Sequence, residues 1–307
     1  MNLNKYINMF SSFDFEQDSN DNDNNEQEAP KLEFLDYGEY RKLMNMDDDK
    51  KDKKVMPKYD NVLDIVKFES NKHKIIERQA MVENIIPRLG SSTIINGKSG
   101  SGKTNLLLNL CLKKEFYGKS KESDKHGYFE LVFLFSPTAE SDDLADHLGL
   151  EKKRIVTDDF ENKLEHIFTA QERIIKSKGL DKSPKILLLY DDLQADQRFL
   201  KSKIFMRSFI ANRHSNITTI FLSQSFTKTP RVCRLQCSNI MIFPSSESEI
   251  ALLVQEYCPP HTTEKQFYEL VKHATKDRFN FLHICMRVAP DERFRKNLGT
   301  ILTIDQS

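Results

Sequence analysis

Thr93-Ile94-Ile95-Asn96-Gly97-Lys98-Ser99-Gly100-Ser101-Gly102-Lys103-Thr104-Asn105-Leu106-Leu107-Leu108 decides the fold. The stretch opens with strand character, turns through glycines and serines, and runs into a leucine-rich helix. Its centre, Gly97 to Thr104, fits G-x-x-x-x-G-K-[ST] in full, in the strand-loop-helix setting that this motif requires. Glycines are needed there because the backbone must curl to aim successive N–H groups at one phosphate cluster, in conformations costly to other residues. The helix that starts at the loop adds its partial positive charge. Gly97, Lys98, Ser99, Gly100, Ser101, Gly102, Lys103 and Thr104 are therefore the expected nucleotide-binding residues. Lys103 is placed to neutralise the β and γ phosphates, and the Thr104 hydroxyl to reach Mg²⁺.

Outward from the loop, short apolar runs alternate with helix-period segments, the pattern of a mostly parallel sheet flanked by helices. Strands are expected at Thr93 to Asn96, Leu131 to Ser136, Ile186 to Asp191, Ile217 to Ser223 and Asn239 to Phe243. Phe281 to Met286 and Ile301 to Ile304 are expected to pair at the sheet edge. Two capping boxes mark helix starts: Ser246 with Glu249 ahead of Ile250, Leu253, Val254 and Tyr257, and Thr263 with Gln266 ahead of Phe267, Leu270 and Val271.

The run Ile186-Leu187-Leu188-Leu189-Tyr190 ends in Asp191-Asp192. A parallel strand buried on both faces reads as a continuous apolar run, and its C-terminal end opens at the ligand crevice. Neighbouring strand residues point in opposite directions, so the two carboxylates take different tasks. Asp191 is assigned to the Mg²⁺ shell and Asp192 to polarising the attacking water. The next buried run, Ile217 to Ser223, leads into Gln224, whose neutral amide both donates and accepts and suits a γ-phosphate sensor. Arg207 and Arg213 are read onto the helix joining these strands, and Arg231 and Arg234 follow the sensor. Arg213 is the first candidate for an arginine that acts on a neighbouring subunit's phosphate.

The whole chain carries 46 Lys and Arg against 46 Asp and Glu over 307 residues. That balance is a cancellation. Residues 1 to 50 hold 13 acids and 5 bases, a net of −8, which leaves 41 bases, 33 acids and +8 on the remainder. Residues 1–54, rich in Asp, Glu, Asn and Gln, cannot bury enough apolar surface to offset their ordering entropy and read as a disordered acidic arm, with one short helical patch at 34–44. Residues 55–90 form an extension that the pattern does not place, and 91–307 the ATPase domain. Ten Gly and ten Pro exclude collagen-like and low-complexity classes. No apolar run approaches the 18 or so residues of a membrane span, and no secretory h-region opens the chain. Five scattered cysteines, Cys111, Cys233, Cys237, Cys258 and Cys285, fit free thiols, and Cys233 and Cys237 lack the second pair that a zinc site needs.

The order of the phosphate loop, Ile-Leu-Leu-Leu-Tyr-Asp-Asp, Ala211-Asn212-Arg213-His214-Ser215-Asn216-Ile217, Leu222-Ser223-Gln224-Ser225 and Pro230-Arg231 resembles the genome-packaging ATPases of large DNA viruses and virophages. These are poxvirus-type packaging ATPases of the FtsK/HerA superfamily, and the resemblance covers about Ser91 to Thr303. It implies a RecA-like P-loop NTPase fold, ATP and Mg²⁺ as cofactors, and a homo-oligomeric ring, expected to be a hexamer. It also implies translocation of double-stranded DNA into a preformed capsid, with capsid or portal-vertex proteins as partners and the host cytoplasm (viral factory) and the virion as locations. The superfamily commonly has Asp-Glu where this chain has Asp191-Asp192.

Two other classes share the loop. A P-loop kinase of a small molecule or nucleotide needs an arginine-bearing lid, and no lid with clustered arginines is apparent in the sequence. A nucleotide-dependent assembly scaffold would make the acidic arm its working part, as a DNA mimic or a dock for a basic partner. In the motor, DNA contact is expected to be electrostatic, with Lys113, Lys114, Lys119, Lys121 and Lys125, around Gly118, as channel candidates.

Overall fold

The computed structural model describes residues 75–79, 90–118, 128–140 and 143–304. The acidic arm, the patch at 34–44, most of the 55–90 extension, Lys119, Lys121 and Lys125 lie outside the described residues.

The strands are β1 Ile75–Gln79, β2 Ser92–Asn96, β3 Leu131–Phe135, β4 Ile155–Val156, β5 Ile186–Tyr190, β6 Ile217–Ser223, β7 Asn239–Ile242, β8 Leu282–Cys285, β9 Phe294–Lys296 and β10 Thr300–Ile304. They join one sheet in the order β1-β10-β9-β8-β7-β2-β6-β5-β3-β4. From β7 to β4 every pairing is parallel, and from β7 outward to β1 every pairing is antiparallel. The phosphate-loop strand β2 lies between β7 and β6, with the acidic strand β5 one place further out. This insertion of β6 between loop strand and acidic strand is the arrangement of a RecA-like P-loop NTPase.

Strand periodicity sorts the core into two layers. Ile94, Ile186, Leu188, Tyr190, Ile217, Phe221, Ile240 and Ile242 face one side, where the helices Phe160–Lys178, Lys203–Ile210, Glu247–Tyr257 and Glu264–Ala274 cover them. Ile95, Leu187, Leu189, Ile220, Leu222 and Met241 face the other, under the phosphate-loop helix Lys103–Leu112. The first layer is knit by rings: Phe205 lies 5.1 Å from Tyr190, 5.2 Å from Phe199 and Phe209, and 5.7 Å from Phe221. Such tilted and edge contacts add to the stabilisation from burial alone.

Three expectations are corrected. β8 and β10 do not pair with each other: β9 runs between them, and the far side of β10 takes β1, a strand from the unplaced extension. The pattern misses β9 because Phe294-Arg295-Lys296 is three residues long and mostly charged, and its strand state comes from pairing with β8. At Ser246 the capping box does not form. Its hydroxyl meets Ser248 Oγ at 3.1 Å, while Glu249 turns inward to accept from the Phe226 amide at 2.8 Å. The Thr263/Gln266 box is present as read. Arg213 is on a 3₁₀ turn, Asn212–Ser215, after the helix Lys203–Ile210 has ended.

Candidate nucleotide site

β2, β3, β5 and β6 are parallel, so their C-terminal ends open at one edge of the sheet. Gly97, Asp191 and Gln224 each follow a strand there. Periodicity also sets the face: Leu187, Leu189 and then Asp191 alternate onto the side of the phosphate-loop helix, as do Ile220, Leu222 and then Gln224. The result is a cavity of about 360 Å³ lined by Lys103, Thr104, Asp191, Asp192 and Gln224 with loop residues Ser99, Gly100 and Gly102. That volume falls within the range of small-ligand sites.

The loop is built by its glycines. Gly100 and Gly102 hold φ of 72° and 104°, the left-handed region that residues with a Cβ avoid. A Cβ on Gly97 would come 2.5 Å from Ser101 Oγ and 2.8 Å from Phe243 Cβ, so that position is closed by packing. The Gly97 amide donates to Ser223 O at 3.0 Å, tying the loop to β6. Lys103 opens the helix and curls back, with Nζ donating to Gly97 O at 2.7 Å and to Lys98 O at 3.0 Å. Burial pushes its pKa below the ordinary lysine value, and the carboxylates of Asp191 and Asp192 pull partly the other way. A buried ammonium held by two carbonyls and facing two acids is poised for anionic oxygens.

Across the cavity, Asp191 continues the β5 ladder, its amide donating to Phe135 O at 3.0 Å. Its Oδ1 accepts from the Asp192 amide at 2.9 Å, which orients the carboxylate. Asp192 turns out of the strand with φ of 52°, a conformation that Asp tolerates, and its Oδ1 accepts from Gln224 Nε2 at 3.0 Å. The two acids thus diverge. Asp191 and Thr104 offer oxygen donors of the kind Mg²⁺ takes. Among the described residues no cluster of three or more His, Cys, Asp or Glu is placed to hold a metal, and Mg²⁺ bound through one or two carboxylates plus phosphates needs none.

Several lining or supporting residues escaped the sequence reading. Thr138, three residues past β3, lines the cavity, as do Asn105 and Phe279. Gln194 holds the turn that follows β6, donating to Ser223 Oγ at 2.6 Å. The strand-end position of Thr138 is a usable signal; for Gln194 and Phe279 no local pattern points to the site.

The arginines separate by environment. Arg213 is exposed just before β6 begins, at the edge of the sheet opposite the phosphate loop, so it does not join this cavity. Arg231 is also exposed, with Glu256 3.6 Å away. Arg207 pairs with Glu172, and its guanidinium lies 4.7 Å from the centre of the Phe168 ring. Arg234 is buried, forked onto Glu256 at 2.8 and 2.7 Å. It further donates to Phe226 O and Thr229 O. Of the two channel lysines that are described, Lys113 and Lys114 are exposed just past the phosphate-loop helix. Among the described residues no helix is long and apolar enough to cross a membrane.

The chain resembles several solved structures at low identity. The DNA-packaging ATPase B204 of Sulfolobus Turreted Icosahedral Virus matches at 13% identity and a TM-score of 0.48, covering 69% of this chain and 98% of that one. The genome packaging NTPase B204 of Sulfolobus turreted icosahedral virus 2, in complex with ATP-gammaS, matches at 16% identity and 0.44, covering 67% and 96%. The pCW3 conjugation coupling protein TcpA matches at 10% identity and 0.46, covering 75% of this chain and 66% of that one. Likenesses this distant add nothing to what the strand order already states. No curated protein sequence matches significantly. The model of one family, described as Poxvirus A32 protein, matches residues 90–284, well over half of the chain and the whole of the site just described. The chain belongs to the poxvirus A32 family of viral genome-packaging proteins and is a P-loop ATPase.

Proposed function

We propose that this ATPase is a motor that translocates double-stranded DNA into a preformed capsid, each step driven by hydrolysis in the cavity at the end of β2, β5 and β6. The observation that carries the reading is the convergence of Lys103, Thr104, Asp191, Asp192 and Gln224 on one cavity of nucleotide size in a chain of this family. Lys103 and the amides of Gly97 to Thr104 hold the triphosphate. Thr104 and Asp191 would hold Mg²⁺, which would supply counter-charge for the phosphates. Asp192 accepts a proton from the attacking water, and Gln224, bonded to Asp192, senses whether the γ-phosphate is present.

The motor works as a ring of identical subunits, six in this reading, with capsid or portal-vertex proteins as docking partners in the host cytoplasm. Arg213 is supplied to the neighbouring subunit's phosphate; its exposure away from its own cavity supports action in trans. DNA is gripped without regard to sequence by lysines that include the exposed Lys113 and Lys114.

The test is ATPase activity of the full chain with and without duplex DNA over a range of salt. Stimulation that fades as salt rises is the expected result, because phosphate contacts release counterions. A rate indifferent to DNA at every salt concentration would sink the motor reading.

A further inference from the structure

Among the described residues, Phe279 is the only aromatic residue lining the nucleotide cavity. It takes φ of 71°, the left-handed region, where a bulky side chain is an outlier, and its residue surface is 53% exposed. It belongs to neither large core cluster. The turn around it is nevertheless held firmly. The Asn280 amide donates to Asp277 O at 3.1 Å, Asn297 Nδ2 to Asn280 Oδ1 at 2.9 Å, and the Phe281 amide to Asn297 Oδ1 at 3.1 Å. Strain that the surroundings enforce on an exposed residue is a mark of a ligand site.

The ring stands against the phosphate loop, since a Cβ on Gly102 would lie 3.3 Å from Phe279 Cδ1. Exposed Asn105, the residue after Thr104, lines the same cavity. The Arg278 guanidinium already lies over the Phe279 ring at 4.7 Å, so the ring accepts a flat, delocalised partner.

We propose that Phe279 is the platform on which the base of the bound nucleoside triphosphate stacks. The proposal rests on the nucleotide reading of the cavity and adds its base subsite. Stacking of a base on an aromatic side chain contributes about 1–3 kcal/mol, about 5- to 150-fold in affinity.

The experiment is calorimetric titration of the full chain with ATP and, separately, with inorganic tripolyphosphate, which has the phosphates and no base. Phe279→Ala is expected to weaken ATP binding at least about fivefold and leave tripolyphosphate binding unchanged, whereas Lys103→Ala loses both. Phe279→Gly, which suits positive φ, is expected to keep or raise Tm while losing ATP affinity to the same extent, which a merely structural ring would not do. Phe279→Trp introduces the only tryptophan in the chain; it is expected to retain ATP affinity and to be quenched by ATP and not by tripolyphosphate. Unchanged ATP affinity in Phe279→Ala, or equal loss of both ligands, would overturn the proposal. A wild-type chain that binds neither ligand would instead overturn the nucleotide reading beneath it.

Discussion

Gln224 and Asp192, 32 positions apart in sequence, meet across the cavity through one hydrogen bond, Nε2 to Oδ1 at 3.0 Å. They leave different strands, β6 and β5, and are brought together because those strands pair in parallel register with Tyr190 opposite Phe221. The bond links the residue assigned to the attacking water with the one assigned to the γ-phosphate.

Asp192→Asn is therefore predicted to bind ATP normally and to hydrolyse it at least about a hundredfold more slowly, the usual contribution of a positioned general base. Single-turnover hydrolysis beside calorimetric binding checks this. Normal hydrolysis by Asp192→Asn would move the water-activating role to another residue.

Lys103→Ala is predicted to abolish nucleotide turnover, because removing the ammonium leaves the phosphates without their counter-charge. Mixed with Arg213→Ala subunits, Lys103→Ala subunits are expected to recover activity at interfaces that pair an intact Lys103 with an intact Arg213. Mixtures that stay inactive at every ratio, while Arg231→Ala mixtures recover, would transfer the trans role to Arg231.

Arg234→Ala is predicted to cost stability rather than chemistry. Its side chain and that of Glu256 are 7% and 5% exposed, and truncating one member strands a buried charge, at a cost of about 3–5 kcal/mol. Urea denaturation should show this loss, and Arg213→Ala, exposed, should leave the midpoint unchanged. Equal midpoints for the two variants would contradict the assignment of Arg234 as structural.

His283 makes stability fall in acid. Burial first, then the neighbouring Arg295 charge, lowers its pKa from 6.5 to about 3, and the ring meets Asn239 Oδ1 at 3.1 Å. The unfolded chain therefore binds a proton that the folded one refuses. The stabilisation is complete above pH 6.5 and is lost as pH falls toward 3, with a slope of about 1.4 kcal/mol per pH unit from this group. His283→Asn is expected to flatten the part of the Tm curve between pH 6.5 and 4.5 that this residue causes. An unchanged slope in the variant would show that other groups carry the acid sensitivity.

The chain by itself determined the phosphate loop, the strand that ends in Asp191-Asp192 and the position of Gln224 after the next buried strand. Each is a local event, in which glycine tolerance, a buried apolar run or its polar terminus sets the backbone whatever lies nearby. The Thr263/Gln266 cap was legible for the same reason, its partners being three residues apart. Tertiary structure alone decided what depends on distant partners. β9 and β1 become strands because β8 and β10 offer their edges. Glu249 abandons its cap because the buried Phe226 amide requires an acceptor. Arg213 and Arg234 look alike in sequence, yet one is exposed and the other locked onto Glu256, because only Arg234 meets a remote buried carboxylate that offsets the cost of burying its charge.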